Sequence, residues 1–208
     1  EVLLGGLRRL EYRGYDSAGV AVIGDDGTLS TRKRAGKLAV LADDLDARPL
    51  PDGGTGIGHT RWATHGGPTD GNAHPHLSAD GRIALIHNGI IENFASLKQE
   101  LLEAGYAFDS ETDTEVAAKM LGREYEQGDG LAAALGRVVS RLEGAFTLLA
   151  LHPDQPGVVV GARRNSPLVI GLGDGANFLG SGVAAFVWHP RLGVAIGQSH
   201  SVVIPPAP

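Results

Sequence analysis

The 208-residue sequence has no cysteine, which excludes disulfides, thiolate metal sites and a cysteine nucleophile from these residues. It has no apolar run close to the ~20 residues that a membrane helix needs, and residues 146–151 are typical of its longest runs. It also has no excess of positive charge, with 18 Lys and Arg against 24 Asp and Glu. This balance argues against a nucleic-acid partner, because phosphates favour basic proteins. We therefore expect a cytoplasmic protein without a membrane or nucleic-acid partner.

Glycine, in contrast, is abundant, with 31 residues and no collagen-like period, so we expect many tight turns and close backbone approaches. The length suits one domain with a hydrophobic core. The sequence begins at Glu1, without methionine and directly on a helical apolar pattern that has no capping residue ahead of it. We expect from this abrupt start that native residues precede Glu1. The proline-rich residues 205–208 are typical of the start of a linker.

Apolar patterning predicts strands at residues 17–23, 29–34, 57–61 and 83–91, and helices at 92–104, 112–127 and 131–142. Thr112 and Glu115 form a capping box for the second of these helices. Short strands are predicted at 146–151, 158–162, 168–171, 178–179, 194–196 and 202–204, with a short helix near 183–187. Strands interleaved with pairs of helices favour an α+β fold with sheets packed on each other and helices outside. The basic residues of the second strand (Arg32, Lys33 and Arg34, with Lys37) could form an anion patch, but they favour a solvated edge whose charges discourage aggregation.

Five of the eight histidines lie within 29 residues: His59, His65, His74, His76 and His87. Such a cluster could ligate zinc or iron. However, Asp70 and Asp80 are the only acidic residues within this span, and no helical metal-binding spacing such as H-E-x-x-H occurs, so we expect no metal. Histidines hydrogen-bonded in a loop-rich core would explain several of the five. They would not explain why Arg61 and Asn88 lie among them.

Four residues in and after this region could recognise a free amino acid and polarise an amide. Arg61 can hold a carboxylate with two parallel hydrogen bonds, and Asp113 in a first helical turn can accept a hydrogen bond from an ammonium group. Asn88 and Gly89 could supply side-chain and backbone N–H donors for an oxyanion hole. Each also has an ordinary structural interpretation, as an ion pair, a helix cap or a turn. Neither G-x-S-x-G nor S-x-x-K is present, so the pattern indicates an acyl site without its nucleophile.

Five blocks of sequence resemble one family. They are LEYRGYDSAG at residues 10–19, HTRWATHG at 59–66, NAHPH at 72–76, HNGIIEN at 87–93 and SETDTE at 110–115. Together they resemble the class II glutamine amidotransferases. Within that class, the blocks around residues 12–15 and 62–65 are similar to the glutaminase domain of the glutamine–fructose-6-phosphate aminotransferase (glucosamine-6-phosphate synthase) family. The resemblance continues to residue 204, so it covers essentially the whole chain.

The resemblance implies the N-terminal nucleophile hydrolase fold, a four-layer αββα sandwich with two antiparallel sheets. It implies glutamine hydrolysis without a cofactor. A Cys at the mature N-terminus attacks the side-chain amide of L-glutamine, and its own α-amino group acts as base. A separate sugar-isomerase domain uses the released ammonia to convert fructose 6-phosphate to glucosamine 6-phosphate. The family also suggests a homodimer.

The resemblance also implies roles for single residues. Arg61 would bind the glutamine carboxylate and Asp113 its α-amine, with Asn88 and Gly89 as the oxyanion hole. The loop that closes over glutamine would contain Trp62, Thr64 and His65. Arg13 matches a position in the family near the N-terminus that carries the nucleophilic Cys. His74 matches a position in a family motif, and its role is open.

The sequence departs from the family in three ways. The family's opening Cys-Gly-Ile strand does not occur, so we expect residues 1–204 to form a glutaminase domain that lacks its first strand and is inactive alone. Gly182 replaces the family's usual Asp, so we expect a contact to be lost there. Residues 205–208 would begin the linker to an isomerase domain that is absent here. A non-catalytic glutamine-binding or interaction module and a histidine metal site are the alternative interpretations.

Overall fold

The computed structural model describes residues 1–185, 190–195 and 201–204. It describes the side chains of all of these residues except 190–195 and 201. The helices are α1 (Val2–Leu10), α2 (Leu38–Ala47), α3 (Phe94–Glu103), α4 (Asp113–Tyr125) and α5 (Leu131–Arg141). The strands are β1 (Ser17–Ile23), β2 (Leu29–Ala35), β3 (Thr55–Arg61), β4 (His76–Leu77), β5 (Ala84–Ile91), β6 (Gly144–Leu151), β7 (Val159–Arg164), β8 (Val169–Gly173), β9 (Asn177–Gly180), β10 (Pro190–Ala195) and β11 (Ser201–Ile204). Among the described helices, none is both long and apolar enough to span a membrane.

The strands form antiparallel ladders in the orders β2-β1-β3, β10-β8-β9 and β11-β7-β6-β5-β4. Apolar residues from β1, β3 and β9 pack against one face of β5 and β6 to form an inter-sheet core. Helices α3, α4 and α5 cover the other face of the five-stranded sheet. Helices α1 and α2 cover the outer face of β1. The layers are therefore helix, sheet, sheet and helix, because both faces of each inner sheet are apolar and need a cover.

Most predicted elements occur within three residues of their expected bounds. Strand β4 was not predicted, and β10 begins four residues before the strand expected at 194–196. Helix α2 was not predicted, and its N-cap, Lys37, makes no capping hydrogen bond that would mark its start. The short helix expected near 183–187 is a 3₁₀ turn at Val183–Ala185, and residues 186–187 lie outside the described residues. Residue 196 of a predicted strand and the proposed linker 205–208 also lie outside them.

The basic residues of β2 do not form a solvated edge, so that prediction is wrong in detail. Strand β2 is an edge strand, but helix α2 packs beside it, and Arg32 and Arg34 form ion pairs with Asp44 of that helix at 3.1 and 2.7 Å. Lys33 donates to backbone carbonyls of the loop before β4. The positive charges therefore hold neighbouring elements to the edge of the sheet.

The capping box is formed in only one direction. The Thr112 hydroxyl accepts a hydrogen bond from the Glu115 amide at 3.3 Å, as predicted. The Glu115 carboxylate does not return to Thr112; it accepts from the amides of Asp109 and Ser110 at 3.0 and 2.8 Å. This carboxylate fixes the turn that leads into α4, and thereby fixes where Asp113 begins the helix.

Candidate functional site

A cavity of about 470 Å³ lies between α1, the C-terminal half of β3, the middle of β5, the start of α4, and β9. All nine residues predicted for the site line it: Arg13, Arg61, Trp62, Thr64, His65, His74, Asn88, Gly89 and Asp113. They come from six segments spread over a hundred positions, so the fold brings together what the sequence separates. This cavity is therefore the candidate functional site.

Arg61 is the last residue of β3, and its side chain is buried. Its guanidinium donates to the carbonyls of His65, Gly66 and Gly67, the last two at 3.3 Å. Because a guanidinium has five N–H donors, these bonds leave part of its donor set for another acceptor. The arginine therefore orders the loop after β3 while facing the cavity.

Asp16 supports Arg61, and sequence reasoning did not single it out. Its carboxylate lies 3.7 Å from the Arg61 guanidinium. It also accepts hydrogen bonds from the Ser17 hydroxyl at 2.9 Å and from the Ala63 amide. The only sequence signal was its place in the first motif block, directly before β1. Asp16 joins that block to the loop that follows Arg61.

Asp113 is the first residue of α4, where the helix dipole favours a negative charge. One carboxylate oxygen accepts from the Ile91 amide at 2.9 Å. The other lies 3.5 Å from His87 Nδ1, and His65 Nδ1 is 3.9 Å from the carboxylate. Burial by itself would raise the pKa of Asp113, but the contacts with His87, the Ile91 amide and His65 outweigh it and lower this pKa. Asp113 is therefore a fixed anion at the cavity wall.

Asn88 and Gly89 lie within β5 and not in a turn, and with Ile90 they are the exposed residues of a strand that is otherwise buried. The His87 amide donates to His74 Nδ1 and the Ile91 amide donates to Asp113, both away from β6. Backbone N–H groups alternate in direction along an antiparallel strand. Gly89, with a φ of 132°, departs from the extended backbone on which this alternation depends, and it lines the cavity.

Four of the clustered histidines pack ring against ring behind this strand. The ring of His74 lies 4.3 Å from that of His59, 5.1 Å from that of His76 and 6.5 Å from that of His87. Burial is the main cause that lowers the pKa of His59 and of His76 to about 3, and it lowers the pKa of His74 well below its usual value. Within the described residues, no group of three or more His, Asp or Glu side chains is placed to hold a metal. The four rings form a packed support for β5, and the lowered pKa values leave His59, His74 and His76 uncharged near neutral pH.

The residues predicted to close over the ligand lie at the cavity mouth. Trp62 is 60% exposed, and its ring makes an edge contact with Tyr15 at 5.3 Å. Thr64 Oγ1 lies 3.3 Å from His65 Nδ1. The ring of His65 packs against Phe94 at 4.7 Å. The loop is therefore anchored at His65, while Trp62 packs on Tyr15 and is mostly open to solvent.

Arg13 lines another part of the cavity wall, and Gly182 lies beside it. A Cβ atom at Gly182 would be 3.6 Å from Arg13 Nη1 and would touch nothing else closely. An aspartate at this position could therefore reach the Arg13 guanidinium. This geometry supports the expectation that glycine loses a contact here.

Residues 59–187 match the family model of the glutamine amidotransferase domain. Because this match covers more than half of the sequence, the chain belongs to the glutamine amidotransferase domain family. Over 206 residues it is 73% identical to the glutamine–fructose-6-phosphate aminotransferase (isomerizing) of Leifsonia xyli subsp. xyli, covering 99% of this chain and 33% of that protein. It is 62% identical over 202 residues to the enzyme of the same name from Streptomyces coelicolor, covering 97% of this chain and 33% of that protein. The chain thus spans a third of the length of these relatives.

Two solved structures confirm the predicted α+β sandwich of the N-terminal nucleophile hydrolase type. The glutamine phosphoribosylpyrophosphate amidotransferase from B. subtilis, complexed with ADP and GMP, matches with a TM-score of 0.83 and 27% identity. A structure described as the allosteric regulatory enzyme of purine biosynthesis matches with a TM-score of 0.85 and 28% identity. Each match covers 98% of this chain and 44% of the other chain.

Proposed function

We propose that this chain is the glutamine-binding body of a glutaminase domain that supplies ammonia for amino-sugar synthesis. The observation that carries the proposal is that Arg61, Asp113 and the exposed pair Asn88 and Gly89 line the same cavity. A cation, an anion and N–H donors around one space match the three polar parts of glutamine, which are its carboxylate, its ammonium group and its amide. The family assignment gives glutamine as the substrate.

The two charged residues recognise the two ends of the amino-acid head. The Arg61 guanidinium binds the carboxylate through those donors that the 65–67 carbonyls do not use. Asp113 binds the ammonium group, and its lowered pKa keeps it charged near neutral pH. Trp62, Thr64 and His65 form the loop that closes over the bound ligand. Arg13 and His74 support the site, the first at the cavity wall and the second through its hydrogen bond to β5.

Hydrolysis needs a nucleophile, and the sequence has no cysteine. We therefore assign the attacking thiol to residues outside this sequence. A strand that carries it would fit between the edges of β3 and β9, because both line the cavity and each pairs on one side only among the described strands. Residues 1–204 would then be the domain without that strand, and residues 205–208 the start of a linker.

The chemistry divides into two balanced steps. The thiol of the N-terminal cysteine gives its proton to the cysteine's own α-amino group and attacks the amide carbon of glutamine. The Asn88 side chain and the Gly89 N–H stabilise the resulting oxyanion. As the C–N bond breaks, the proton passes to the leaving ammonia, and a thioester remains. Water then attacks the thioester, releasing glutamate and restoring the thiol.

The name of the curated relatives indicates where the ammonia goes. We propose that the whole protein transfers it to fructose 6-phosphate on an isomerase domain that is not part of this sequence, that it does so in the cytoplasm, and that it is a homodimer. The support is the 73% identity to a relative of that name, over the third of its length that this chain spans.

Two measurements test this function. Calorimetric titration of the 208-residue chain should detect binding of L-glutamine, and no binding of D-glutamine at the same concentration. The protein expressed from its full gene should release ammonia from L-glutamine. Binding without ammonia release from that full product would instead identify a non-catalytic glutamine-binding module. The absence of binding together with stoichiometric zinc or iron would identify a metal site.

A further inference from the structure

Asn72 lies in the loop between β3 and β4, and its side chain joins two segments that border the cavity. It is 3% exposed. Its amide nitrogen donates to the Gly67 carbonyl at 3.0 Å and to the Glu111 carboxylate at 3.1 Å. Its amide oxygen accepts from the Glu111 backbone N–H at 3.0 Å. The amide nitrogen therefore has two acceptors and the amide oxygen one donor, so both ends of this side chain are held.

The two segments that Asn72 joins carry the two charged groups of the site. The Gly67 carbonyl that accepts from Asn72 also accepts from the Arg61 guanidinium, at 3.3 Å. Glu111 lies two residues before Asp113, at the turn that begins α4. A continuous set of hydrogen bonds thus runs from Arg61 through Gly67 and Asn72 to the backbone that holds Asp113.

Asn72 is itself held in place from the other side. The Lys33 ammonium donates to the carbonyls of Gly71, Ala73 and Pro75 at 3.1, 2.9 and 3.4 Å. The Asn72 backbone N–H donates to the Thr69 hydroxyl at 3.2 Å. Because the backbone on both sides of Asn72 is fixed, its side chain acts as a rigid spacer and not as a flexible surface contact.

We propose that Asn72 is a positioning residue that sets the separation between Arg61 and Asp113. A fixed separation selects ligands whose carboxylate and ammonium groups sit on one carbon atom, which are the α-amino acids. This inference rests on the proposed function, because it assumes that Arg61 and Asp113 bind the two ends of glutamine. Asn72 does not line the cavity, so it acts through these two residues and touches no ligand.

The test compares Asn72→Ala and Asn72→Asp with the matched control Asn93→Ala in the full gene product. Asn93 makes the same kind of bridge at the start of α3, donating to the Arg141 carbonyl at 2.9 Å and accepting from the Glu143 amide at 3.0 Å. The readouts are kcat and KM for L-glutamine, and KM for β-homoglutamine. The second ligand has one additional methylene between its carboxylate and its ammonium group.

For Asn72→Ala we expect the KM for glutamine to rise about tenfold or more, while kcat stays within about threefold, because binding of the head group is lost equally in ground and transition states. The preference for glutamine over β-homoglutamine should fall. Asn72→Asp places a carboxylate against Glu111, so its KM should be high at pH 8 and lower at pH 5.5, where protonation restores a donor. Asn93→Ala should leave KM unchanged.

Two results would overturn the proposal. One is a KM for Asn72→Ala within twofold of wild type; the other is an equal rise in KM for Asn93→Ala. If Asn72→Ala does not fold, Asn72→Asp decides, and a KM independent of pH refutes the spacer role. A wild-type protein that neither binds nor hydrolyses glutamine would refute the proposed function itself. That result is distinguishable from an effect of Asn72, because it would appear in the wild-type protein and not only in the Asn72 variants.

Discussion

A side chain at Gly89 would overlap the carbonyl oxygen of Ala145 on the neighbouring strand. Gly89 also has a φ of 132°, which L-residues with side chains rarely adopt. We therefore expect Gly89→Ala to lower the free energy of unfolding by at least about 2 kcal/mol, as measured by urea denaturation. Gly136→Ala is the control: it lies within α5 with open space around its Cβ and should stabilise by about 0.5–1 kcal/mol. Equal stability of Gly89→Ala and wild type would contradict the close approach of β5 and β6.

Replacing Asp113 tests the recognition of the ammonium group. Asp113→Asn keeps an oxygen for the Ile91 amide but removes the negative charge beside the cavity. We expect glutamine to bind more weakly by about tenfold or more. Glutaramate, which is glutamine without its α-amino group, should bind the variant and the wild type equally. Calorimetry with both ligands separates the loss of the ammonium contact from a general loss of binding. An equal loss of affinity for glutamine and glutaramate would refute the assignment of Asp113 to the ammonium group.

Replacing Arg61 tests the recognition of the carboxylate. Arg61→Lys keeps the charge, but a lysine has no planar fork for a carboxylate and cannot reach the same set of 65–67 carbonyls. We expect the KM for glutamine to rise about tenfold or more with a smaller change in kcat. Arg82→Lys is a matched control, because Arg82 pairs with Asp154 in an exposed ion pair elsewhere and should leave KM unchanged. A KM for Arg61→Lys equal to that of wild type would show that Arg61 only orders the loop.

The packed histidines predict that stability falls in mild acid. The folded-state pKa of His59 and of His76 is about 3, whereas an unfolded histidine has a pKa of about 6.5. Between these values the unfolded chain binds more protons, so the free energy of unfolding decreases as the pH falls. Each histidine contributes about 1.4 kcal/mol per pH unit in that range.

A single substitution separates the contribution of one histidine to this pH dependence of stability from the contribution of the carboxylates. His76→Gln removes one titrating ring, and the new side chain at position 76 can still form a hydrogen bond with the Thr112 hydroxyl. The slope of unfolding free energy against pH, measured between pH 4 and pH 6, should become shallower by about one proton. The difference in unfolding free energy between variant and wild type at pH 8, where His76 is unprotonated in the folded and the unfolded chain, serves as the baseline. An unchanged slope would mean that His76 is charged in the folded state.

Restoring an acidic residue at position 182 tests the contact with Arg13. A Cβ at Gly182 lies 3.6 Å from Arg13 Nη1, so Gly182→Asp should form an ion pair and raise the free energy of unfolding by up to about 1 kcal/mol. A double-mutant cycle with Arg13→Met measures the pair itself. Gly182→Asn provides the uncharged control. A coupling energy of zero would place the two side chains apart.

Local patterns in the sequence were sufficient for most of the secondary structure. Thr112 marked the start of α4 because a capping hydroxyl acts within three residues. The apolar run at residues 17–23 predicted β1, and both faces of this strand are covered in the structure. Helix α2 was missed because its N-cap residue, Lys37, makes no capping bond and its first turn carries no charge, while the bond to its first amide comes from Glu11, 27 positions away. Its packing against β1 and its ion pairs with β2, which stabilise it, are contacts between distant parts of the sequence.

By itself, the sequence determined the family, the αββα class of fold and the residues that border the cavity, because motif blocks and apolar periods are properties of neighbouring residues. Only the tertiary structure decided how those residues are held. It showed that Arg61 is bound by the loop that follows it, that Asp113 is fixed by β5, and that Asn72 joins both sides through a partner 39 positions away. Hydrogen bonds of this kind require remote segments to be placed to within a few tenths of an ångström, and no local pattern encodes such a placement.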